Sequence, residues 1–207
     1  MRIGLYFGSF NPIHTGHLII AQHMCAHQHL ESVWFVVTPQ NPMKSSTVML
    51  ADQDRLEMVR RSVADNPLFE TSDVEFGLPR PNFTANTMDL LSRRHPEHDF
   101  YIIIGGDNLR NLQHWARWKS LVDNYVFLVY PRAYIDGEQQ VPEGTISADG
   151  ERIIQTSAPL ISISSTYLRE TFSRGDSARY LLPDPARLYI EEHSLYGWAN
   201  KSSNRPA

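Results

Sequence analysis

A loop rich in glycine and histidine separates the first predicted strand from the first predicted helix. It runs from Gly8 to His17 with the sequence GSFNPIHTGH. Gly8 and Gly16 allow close backbone approach, the start of the helix offers unpaired N–H groups, and the imidazoles of His14 and His17 add hydrogen-bond donors. This combination predicts a site for a polyphosphate. A Gly/Pro turn with two surface histidines is the alternative, but it leaves the agreement of spacing, strand and helix unexplained.

A second group of residues that could contact anions lies near the carboxyl terminus, where residues 163–169 read ISSTYLR. Ser164 or Ser165 can cap a helix, and the N-terminus of a helix attracts anions. Arg169 lies one turn further along and supplies a fixed cation with several donors. Read alone, the Ser-Ser-Thr run indicates only a helix cap. With Arg169 it predicts a second anion contact.

The two stretches, in this order, resemble the HxGH-type nucleotidyltransferases, in which the histidine loop grips the triphosphate of ATP. The second stretch matches the family pattern Ile-Ser-x-Thr-x-x-Arg. The resemblance implies an ATP site at these positions. Its residues would be Gly8, Ser9, Phe10, His14, His17, Ile163, Ser164, Thr166 and Arg169.

Two further stretches resemble bacterial nicotinate mononucleotide adenylyltransferases within this superfamily. The PQNPMK stretch resembles an Asn-Pro-x-Lys loop, which implies substrate contacts from Asn41 and Lys44, with Lys44 reaching the phosphates as a point charge. The GGDNL stretch resembles a Gly-x-Asp segment, which adds Gly105 and Asp107 to the ATP site and has Asp107 accept hydrogen bonds from ribose hydroxyls. In isolation the same residues would indicate a proline turn and a helix cap.

The tryptophan-rich stretch WARW matches the aromatic segment of that family, which implies that Trp115 stacks on the pyridine ring of the substrate. Two tryptophans three residues apart are typical of one side of a helix that packs into the core. We therefore predict that Trp118 is a core residue on the same helix face as Trp115. Arg117, between the two, is either a solvated side chain or a partner for the substrate carboxylate.

The stretch PNFTANTM resembles a Tyr-Thr-x-x-Thr-Leu segment, with Phe83 in place of the tyrosine. The resemblance implies that Thr84 and Ala85 belong to the substrate site. It also implies that the carboxylate of the substrate is met by the main-chain N–H groups of Ala85 and Ala116.

Taken together, the resemblance implies adenylyl transfer from ATP to nicotinate mononucleotide, with Mg²⁺ carried by ATP and no metal ligands from the protein. The nucleophile is already an anionic phosphate, so no general base is required. Alignment and charge stabilisation would come from His14, His17, Lys44 and Arg169. Another superfamily member such as phosphopantetheine adenylyltransferase, or a non-catalytic nucleotide-binding module, remains an alternative. A Rossmann dehydrogenase is disfavoured because no G-x-G-x-x-G follows the first strand.

Two other groups of polar residues have simpler interpretations. His23 and His27 lie four residues apart, as metal ligands on a helix do, but no third ligand is near in sequence, and a solvated helix face is favoured. Asp54, Arg55 and Glu57 also indicate an exposed helix face. The family often has an arginine in the corresponding helix, so Arg55 is a candidate for either a phosphate contact or a structural role.

The elements that must position these residues follow from the hydrophobic pattern. Apolar runs predict strands at 2–7 and 32–37, one within 69–76, and further strands at 100–104, 125–130 and from 153. Helical spacing predicts helices at 15–29, 51–64, 84–94, 164–174 and 183–193. This alternation predicts a single Rossmann-like, doubly wound parallel sheet of five or six strands with helices on both faces. Ligands are then expected at the carboxyl ends of the strands.

Composition limits the classes of protein that fit. The 207 residues carry a net charge of −4, which disfavours general binding to nucleic acid. Cys25 is the single cysteine, so an intrachain disulfide is impossible, and no apolar run has the length of a membrane span. We expect a cytoplasmic protein without membrane partners, and a homo-oligomer remains open. Residues 1–199 are predicted to form one nucleotidyltransferase domain, with a surface excursion at 131–150 and a frayed tail at 200–207.

Overall fold

The computed structural model describes residues 1–40, 42, 49–132 and 152–198. Within them the strands are β1 (Arg2–Gly8), β2 (Ser32–Val37), β3 (Phe69–Ser72), β4 (Asp99–Gly105), β5 (Val126–Tyr130) and β6 (Ile153–Gln155). The α-helices are α1 (Thr15–His27), α2 (Asp52–Val63), α3 (Thr84–Arg94), α4 (Gly106–Arg110), α5 (Trp118–Asn124), α6 (Ser165–Ser173) and α7 (Asp184–Glu192). Short 3₁₀ turns cover Val74–Gly77, Leu112–His114 and Leu195–Gly197.

All six strands form one parallel sheet in the order β3-β2-β1-β4-β5-β6. The strand order reverses between β1 and β4, because the chain winds outward from this pair in both directions. In open parallel sheets, ligands bind in the crevice beyond the carboxyl ends of the strands at such a reversal. The loops after β1 and β4 are therefore the ones that build the site.

The sheet separates two apolar cores. Along β4, Ile102 and Ile104 face one core and Ile103 faces the other, as the two-residue period of a strand requires. Buried residues of α1, α2, α6 and α7 join the core of Ile103, whereas those of α3, α4 and α5 join the core of Ile102 and Ile104. Both faces are covered by helices, which explains why the central strands are apolar along their whole length.

The predicted fold class is confirmed, and the sheet has six strands. The strand at 32–37 and the helix at 84–94 have the predicted bounds. Between β4 and β5 the sequence indicated only a helix through Trp115 and Trp118, whereas α4, a 3₁₀ turn and α5 lie there. These pieces are short, and five to seven residues contain too few turns for a helical period to stand out.

The prediction that Trp115 and Trp118 share one helix face is wrong. Trp115 follows the 3₁₀ turn, and Trp118 is the first residue of α5. Between them Arg117 has a φ of 54°, in the left-handed region, which interrupts any helix. Both tryptophans are partly buried and pack against the core of Ile102 and Ile104, so the predicted packing of Trp118 holds without the shared helix.

Several predictions fall outside the described residues: the contacts of Asn41 and Lys44, most of the excursion at 131–150, and the frayed tail at 200–207. The limits of the domain stay a prediction. Among the described helices, none has the length and apolar character needed to cross a membrane.

Candidate active site

A cleft of about 950 Å³ opens at the carboxyl ends of β1, β4 and β5. It is bordered by the loop after β1, by the start of α4 and by the N-terminal turn of α6. Most of the predicted ATP-binding residues line it: Gly8, Ser9, Phe10, His14, His17, Asp107, Ser164, Thr166 and Arg169. The fold thus brings together two stretches that are about 150 residues apart in the chain.

The loop after β1 is held in shape by Phe10. This residue is 2% exposed and has a φ of 44°, a left-handed conformation that a bulky side chain rarely adopts. Its ring packs edge-on against Tyr6 and His17, with centroids 6.0 and 5.1 Å away. A Cβ on Gly8 would lie 2.8 Å from the ring of Phe10, so any larger residue there would displace this ring. The aromatic contacts thus stabilise the backbone path of the loop that borders the cleft.

His14 and His17 are arranged around the start of α1. His14 is the residue that precedes the helix, and its N–H donates to Nδ1 of His17 at 3.2 Å. A neutral His17 that accepts at Nδ1 carries its proton on Nε2. The two rings stack with centroids 3.6 Å apart. The backbone hydrogen bond therefore selects the tautomer of His17 that donates from Nε2.

His14 is an uncharged donor at neutral pH. It is 4% exposed, and burial, followed by the positive charge of Arg132, lowers its pKa from 6.5 to about 4. A neutral imidazole offers one N–H to a phosphate oxygen without adding a charge.

Gly16 lets α1 approach the segment before α6. A Cβ at this position would lie 2.7 Å from Cγ2 of Ile161 and 3.0 Å from Nδ1 of His14. A small cavity of about 10 Å³ at the same place is lined by Ile163 together with both histidines. Ile163, predicted to be in the ATP site, thus lies beside the histidines and does not line the main cleft.

The N-terminal turn of α6 is fastened to the loop after β1. Ser164 caps α6 by accepting from the N–H of Tyr167 at 3.2 Å, and the hydroxyl of Ser165 donates to the carbonyl of Pro12 at 2.9 Å. Arg169 donates from Nη1 to the carbonyl of Asn11 at 2.9 Å. The predicted cap is therefore Ser164, while Ser165 and Arg169 join the two predicted anion-binding stretches.

The prediction that Arg55 lies on an exposed helix face is wrong. Its side chain is fully buried, and its guanidinium donates to the carbonyls of Ser9 and Thr38 at 2.6 and 2.9 Å, with Asp52 as its ionic partner at 2.5 Å. These carbonyls belong to the loops that follow β1 and β2. Arg55 does not line the cleft, so its role is structural: it holds the two loops together. Asp54 and Glu57 remain partly exposed.

The opposite wall of the cleft carries residues from β1, from the start of α4 and from the end of β5. Asp107 lies in the first turn of α4, and its Oδ1 is 3.4 Å from Nε of Arg132. The guanidinium of Arg132 lies over the ring of Tyr130, 5.5 Å from its centroid. Burial raises the pKa of Tyr6 and Tyr130, so both hydroxyls stay protonated. This wall combines one carboxylate, one cation and two hydroxyls.

A second, smaller cavity of about 120 Å³ adjoins the cleft. Thr84, Trp115 and Ala116 of the predicted substrate site line it, and so does Gly105, which was predicted for the ATP site and does not line the cleft. Ala85 does not line the cavity: its side chain is buried in the core, and its N–H lies in the first turn of α3. A cavity of mixed polar and apolar lining with an indole in its wall suits a flat heteroaromatic ring that carries polar substituents.

The two cavities share residues at the carboxyl ends of the central strands: Tyr6, Phe7, Asn108 and Tyr130 line both. A ligand that fills the small cavity with a ring can therefore extend into the cleft beside the histidines. The arrangement fits two ligands that meet between β1 and β4.

Sequence reasoning missed several residues that line these cavities, above all Arg132, Tyr130, Glu75 and Asn82. Tyr130 ends the fifth predicted strand and Arg132 follows it by two residues, so the expected position of ligands at strand ends was the signal that could have found them. Glu75 is 1% exposed and accepts from the hydroxyl of Thr87 at 2.7 Å. No pattern in the sequence distinguishes this buried carboxyl from the exposed glutamates.

Comparison with known proteins agrees with this geometry. The family model described as cytidylyltransferase-like matches residues 5–171. A protein of Flavobacterium johnsoniae named "Probable nicotinate-nucleotide adenylyltransferase" is 41% identical over 196 residues, which cover 95% of this chain and 99% of that protein. A protein of Exiguobacterium sibiricum with the same name is 40% identical with the same coverage. The chain belongs to the cytidylyltransferase-like family.

A solved structure is also similar to this chain in its fold. The nicotinic acid mononucleotide adenylyltransferase of Plasmodium falciparum, complexed with NaAD, superposes with a TM-score of 0.79 over 96% of this chain and 98% of that one. At 18% sequence identity this likeness concerns the fold. The resemblance on which the sequence analysis rested is confirmed, and the protein is a nucleotidyltransferase.

Proposed function

We propose that the protein transfers the adenylyl group of ATP to nicotinate mononucleotide, giving deamido-NAD and pyrophosphate. The observation that carries this proposal is the junction of the two cavities. The small cavity with Trp115 in its wall suits the pyridine ring, and the cleft with His14 and His17 suits the triphosphate. The names of the relatives support the same substrate pair.

In the proposed reaction, a phosphate oxygen of the mononucleotide forms a bond to the α-phosphorus of ATP. The bond from that phosphorus to the bridging oxygen of the β-phosphate breaks, and the electron pair leaves with pyrophosphate. The nucleophile is anionic before it reacts, so no side chain has to remove a proton. Catalysis then rests on holding both phosphates in line and on stabilising the charge that builds up on oxygen.

The described residues divide this work. In this proposal the N–H groups of His14 and His17 donate to the triphosphate, and Arg132 and Arg169 supply positive charge from opposite sides of the cleft. His14 is neutral, so it orients a phosphate oxygen by hydrogen bonding, whereas the arginines supply charge that hydrogen bonds alone do not. Asp107 is placed at the end of β4, where ribose hydroxyls can donate to it.

We propose that Mg²⁺ binds as a complex with ATP and that the protein supplies no metal ligands of its own. Among the described residues, the carboxylates that line the cleft are Asp52 and Asp107, and both are engaged by arginines: Asp52 by Arg55 and Arg80, and Asp107 by Arg132. They do not form a carboxylate cage. The ion fits as one held by phosphate oxygens and water, where it supplies charge neutralisation on the departing pyrophosphate.

A substrate panel tests the proposal. The purified protein is incubated with ATP and Mg²⁺ and one acceptor at a time: nicotinate mononucleotide, nicotinamide mononucleotide or phosphopantetheine. Pyrophosphate release and the dinucleotide product are measured together. We expect the highest kcat/KM with nicotinate mononucleotide and no turnover in excess chelator. Turnover with phosphopantetheine alone would assign the protein to the other adenylyltransferase class, and ATP binding without any turnover would indicate a binding module.

A further inference from the structure

Three potential metal ligands lie together in the turn between α3 and β4. Oε1 of Glu97 is 3.7 Å from Nδ1 of His95 and 3.5 Å from Nε2 of His98. The ligand atoms of the three residues all lie within 4.8 Å of one another. Around tetrahedral zinc, bonds of about 2.0–2.2 Å place neighbouring ligand atoms roughly 3.4 Å apart. Glu97 is thus close to the required distance from both imidazoles before any ion binds.

The turn holds the two imidazoles in place. The N–H of His95 donates to the carbonyl of Leu91 at 2.9 Å at the end of α3, and the N–H of His98 donates to the carbonyl of His95 at 3.1 Å. The rings are parallel within 2°, with centroids 5.4 Å apart, and Trp34 packs edge-on against both. The side chain of Glu97 is 60% exposed and free to adjust. Two fixed ligands and one adjustable ligand require little rearrangement on binding.

The cluster is separate from the proposed active site. It precedes β4, at the amino end of the sheet, whereas the ATP cleft lies at the carboxyl ends of the strands. His95 and His98 line neither the cleft nor the small cavity. Adenylyl transfer therefore makes no use of these side chains, and a ligand bound to them leaves the phosphates untouched.

We propose that His95, Glu97 and His98 bind a transition-metal cation of the Zn²⁺ type, with water completing the coordination. Imidazole nitrogen and carboxylate oxygen are ligands that Zn²⁺ accepts, and three protein ligands with an open position form a known kind of zinc site. The bound ion ties the end of α3 to the start of β4. It binds the folded chain in preference to the unfolded one and so stabilises it.

Two features of the surroundings limit the affinity. Arg93 and Arg94 are exposed in the last turn of α3 and add positive charge near the ion. Nδ1 of His98 is buried and has no hydrogen-bond partner in the described part of the chain. A histidine that binds a metal through one nitrogen normally donates from the other, and loss of that outer contact costs about 10–100-fold in affinity. We therefore expect saturable binding that is weaker than in a dedicated structural zinc site.

The test is a titration of the tag-free protein, stripped with chelator and free of ATP, with Zn²⁺ alone in a calorimeter. We expect one Zn²⁺ to bind per protein chain, and we expect the Tm of the protein to rise when this site is saturated. Glu97→Gln keeps the shape of an exposed residue and removes the anionic ligand, so it should weaken binding at least about tenfold, and His95→Ala should do the same. The control is the double variant His23→Ala/His27→Ala, which removes the other close histidine pair and should bind as the parent does.

Co²⁺ supplies a second readout, because its visible absorption reports nitrogen and oxygen coordination directly. The proposal requires a Co²⁺ spectrum in the parent that is lost in Glu97→Gln/His98→Ala. Absence of saturable Zn²⁺ binding to the parent would overturn it. So would an unchanged Zn²⁺ affinity in Glu97→Gln/His95→Ala. Adenylyl transfer by the Glu97→Gln variant is expected at the parental rate, so a failure of this proposal is distinguishable from a failure of the proposed function.

Discussion

Nη1 of Arg169 donates a hydrogen bond of 2.9 Å to the main-chain carbonyl of Asn11. The same guanidinium donates from Nη2 to the hydroxyl of Thr166 at 3.1 Å, so its plane is fixed between α6 and the loop after β1. Arg169 lines the cleft, and the residue that it holds precedes His14 by three positions. One side chain thus lines the cleft and also fixes the loop that carries the imidazoles.

We predict that Arg169→Ala lowers kcat/KM for ATP by about 10²–10³-fold, the usual effect of removing one donor that stabilises charge in a transition state. Arg169→Lys keeps the positive charge, but an ammonium lacks the planar array of donors with which a guanidinium can contact Asn11 and the phosphates together. This variant should therefore recover only part of the lost kcat/KM. Steady-state kinetics at varied ATP measure both. Arg174→Ala removes an exposed arginine paired with Asp176 and serves as the control. Full activity in Arg169→Ala would remove this residue from the phosphate site.

His17→Ala should lose most turnover while the fold stays intact. In the proposed function its Nε2 donates to the phosphates, and its ring packs on Phe10 at the surface of the cleft and not within a core. We expect kcat to fall about 10²–10³-fold with Tm changed by a few degrees at most. His23→Ala is the matched control, because this partly buried histidine lies on α1 away from the cleft, and it should be nearly silent. Parental turnover in His17→Ala would contradict the phosphate-loop interpretation.

His14 predicts a pH dependence of stability. Its pKa is about 4 in the folded protein against 6.5 as the reference value, so between these values the unfolded chain binds more protons than the folded one. Stability is therefore lost as the pH falls from 6.5 towards 4, by up to about 3 kcal/mol for this group. Urea unfolding measures the free energy of unfolding at pH 7 and at pH 4.5. The difference between these two free energies should be smaller in His14→Gln than in the parent. Equal pH differences in the two proteins would show that His14 is not the group responsible.

The pattern of agreement between sequence and structure has a physical basis. The strand at 32–37 was predictable because it is an unbroken apolar run, and the helix at 84–94 because it is long enough for its helical period to show. The region of α4 and α5 was not predictable, since short helices joined by the left-handed Arg117 carry no sustained period. Local motifs predicted residues that the fold brings together around one cleft, such as His14, His17 and Arg169, whereas the burial of Arg55 depends on tertiary contacts that spacing does not encode.

The acid substrate, nicotinate mononucleotide, should be preferred over its amide. The proposed partners of the carboxylate are main-chain N–H groups at Ala85, in the first turn of α3, and at Ala116. Such donors favour an anion by about 0.3–2 kcal/mol. The NH₂ of the amide substrate cannot accept from them, and leaving these N–H groups without an acceptor costs roughly 1–3 kcal/mol more. The expected ratio of kcat/KM values reaches about 10² or more.

Arg117 is the competing explanation for this preference. Its Nη2 donates to Asp89 at 2.7 Å, and the residue does not line the small cavity, so the geometry favours the main-chain explanation. Arg117→Ala should therefore keep the acid preference of the parent. A preference that disappears in Arg117→Ala would assign recognition of the carboxylate to this arginine. Equal kcat/KM values for acid and amide in the parent would contradict the acid preference itself.

The fate of the α-phosphorus tests adenylyl transfer most directly. The protein is given nicotinate mononucleotide, Mg²⁺ and ATP labelled with ³²P either at the α- or at the γ-phosphorus, and the products are separated by chromatography. Attack at the α-phosphorus predicts that the α-label appears in the dinucleotide and the γ-label in pyrophosphate. One dinucleotide and one pyrophosphate are expected for each ATP consumed. Appearance of the γ-label in the acceptor, or of either label in free phosphate or ADP alone, would contradict the proposed reaction.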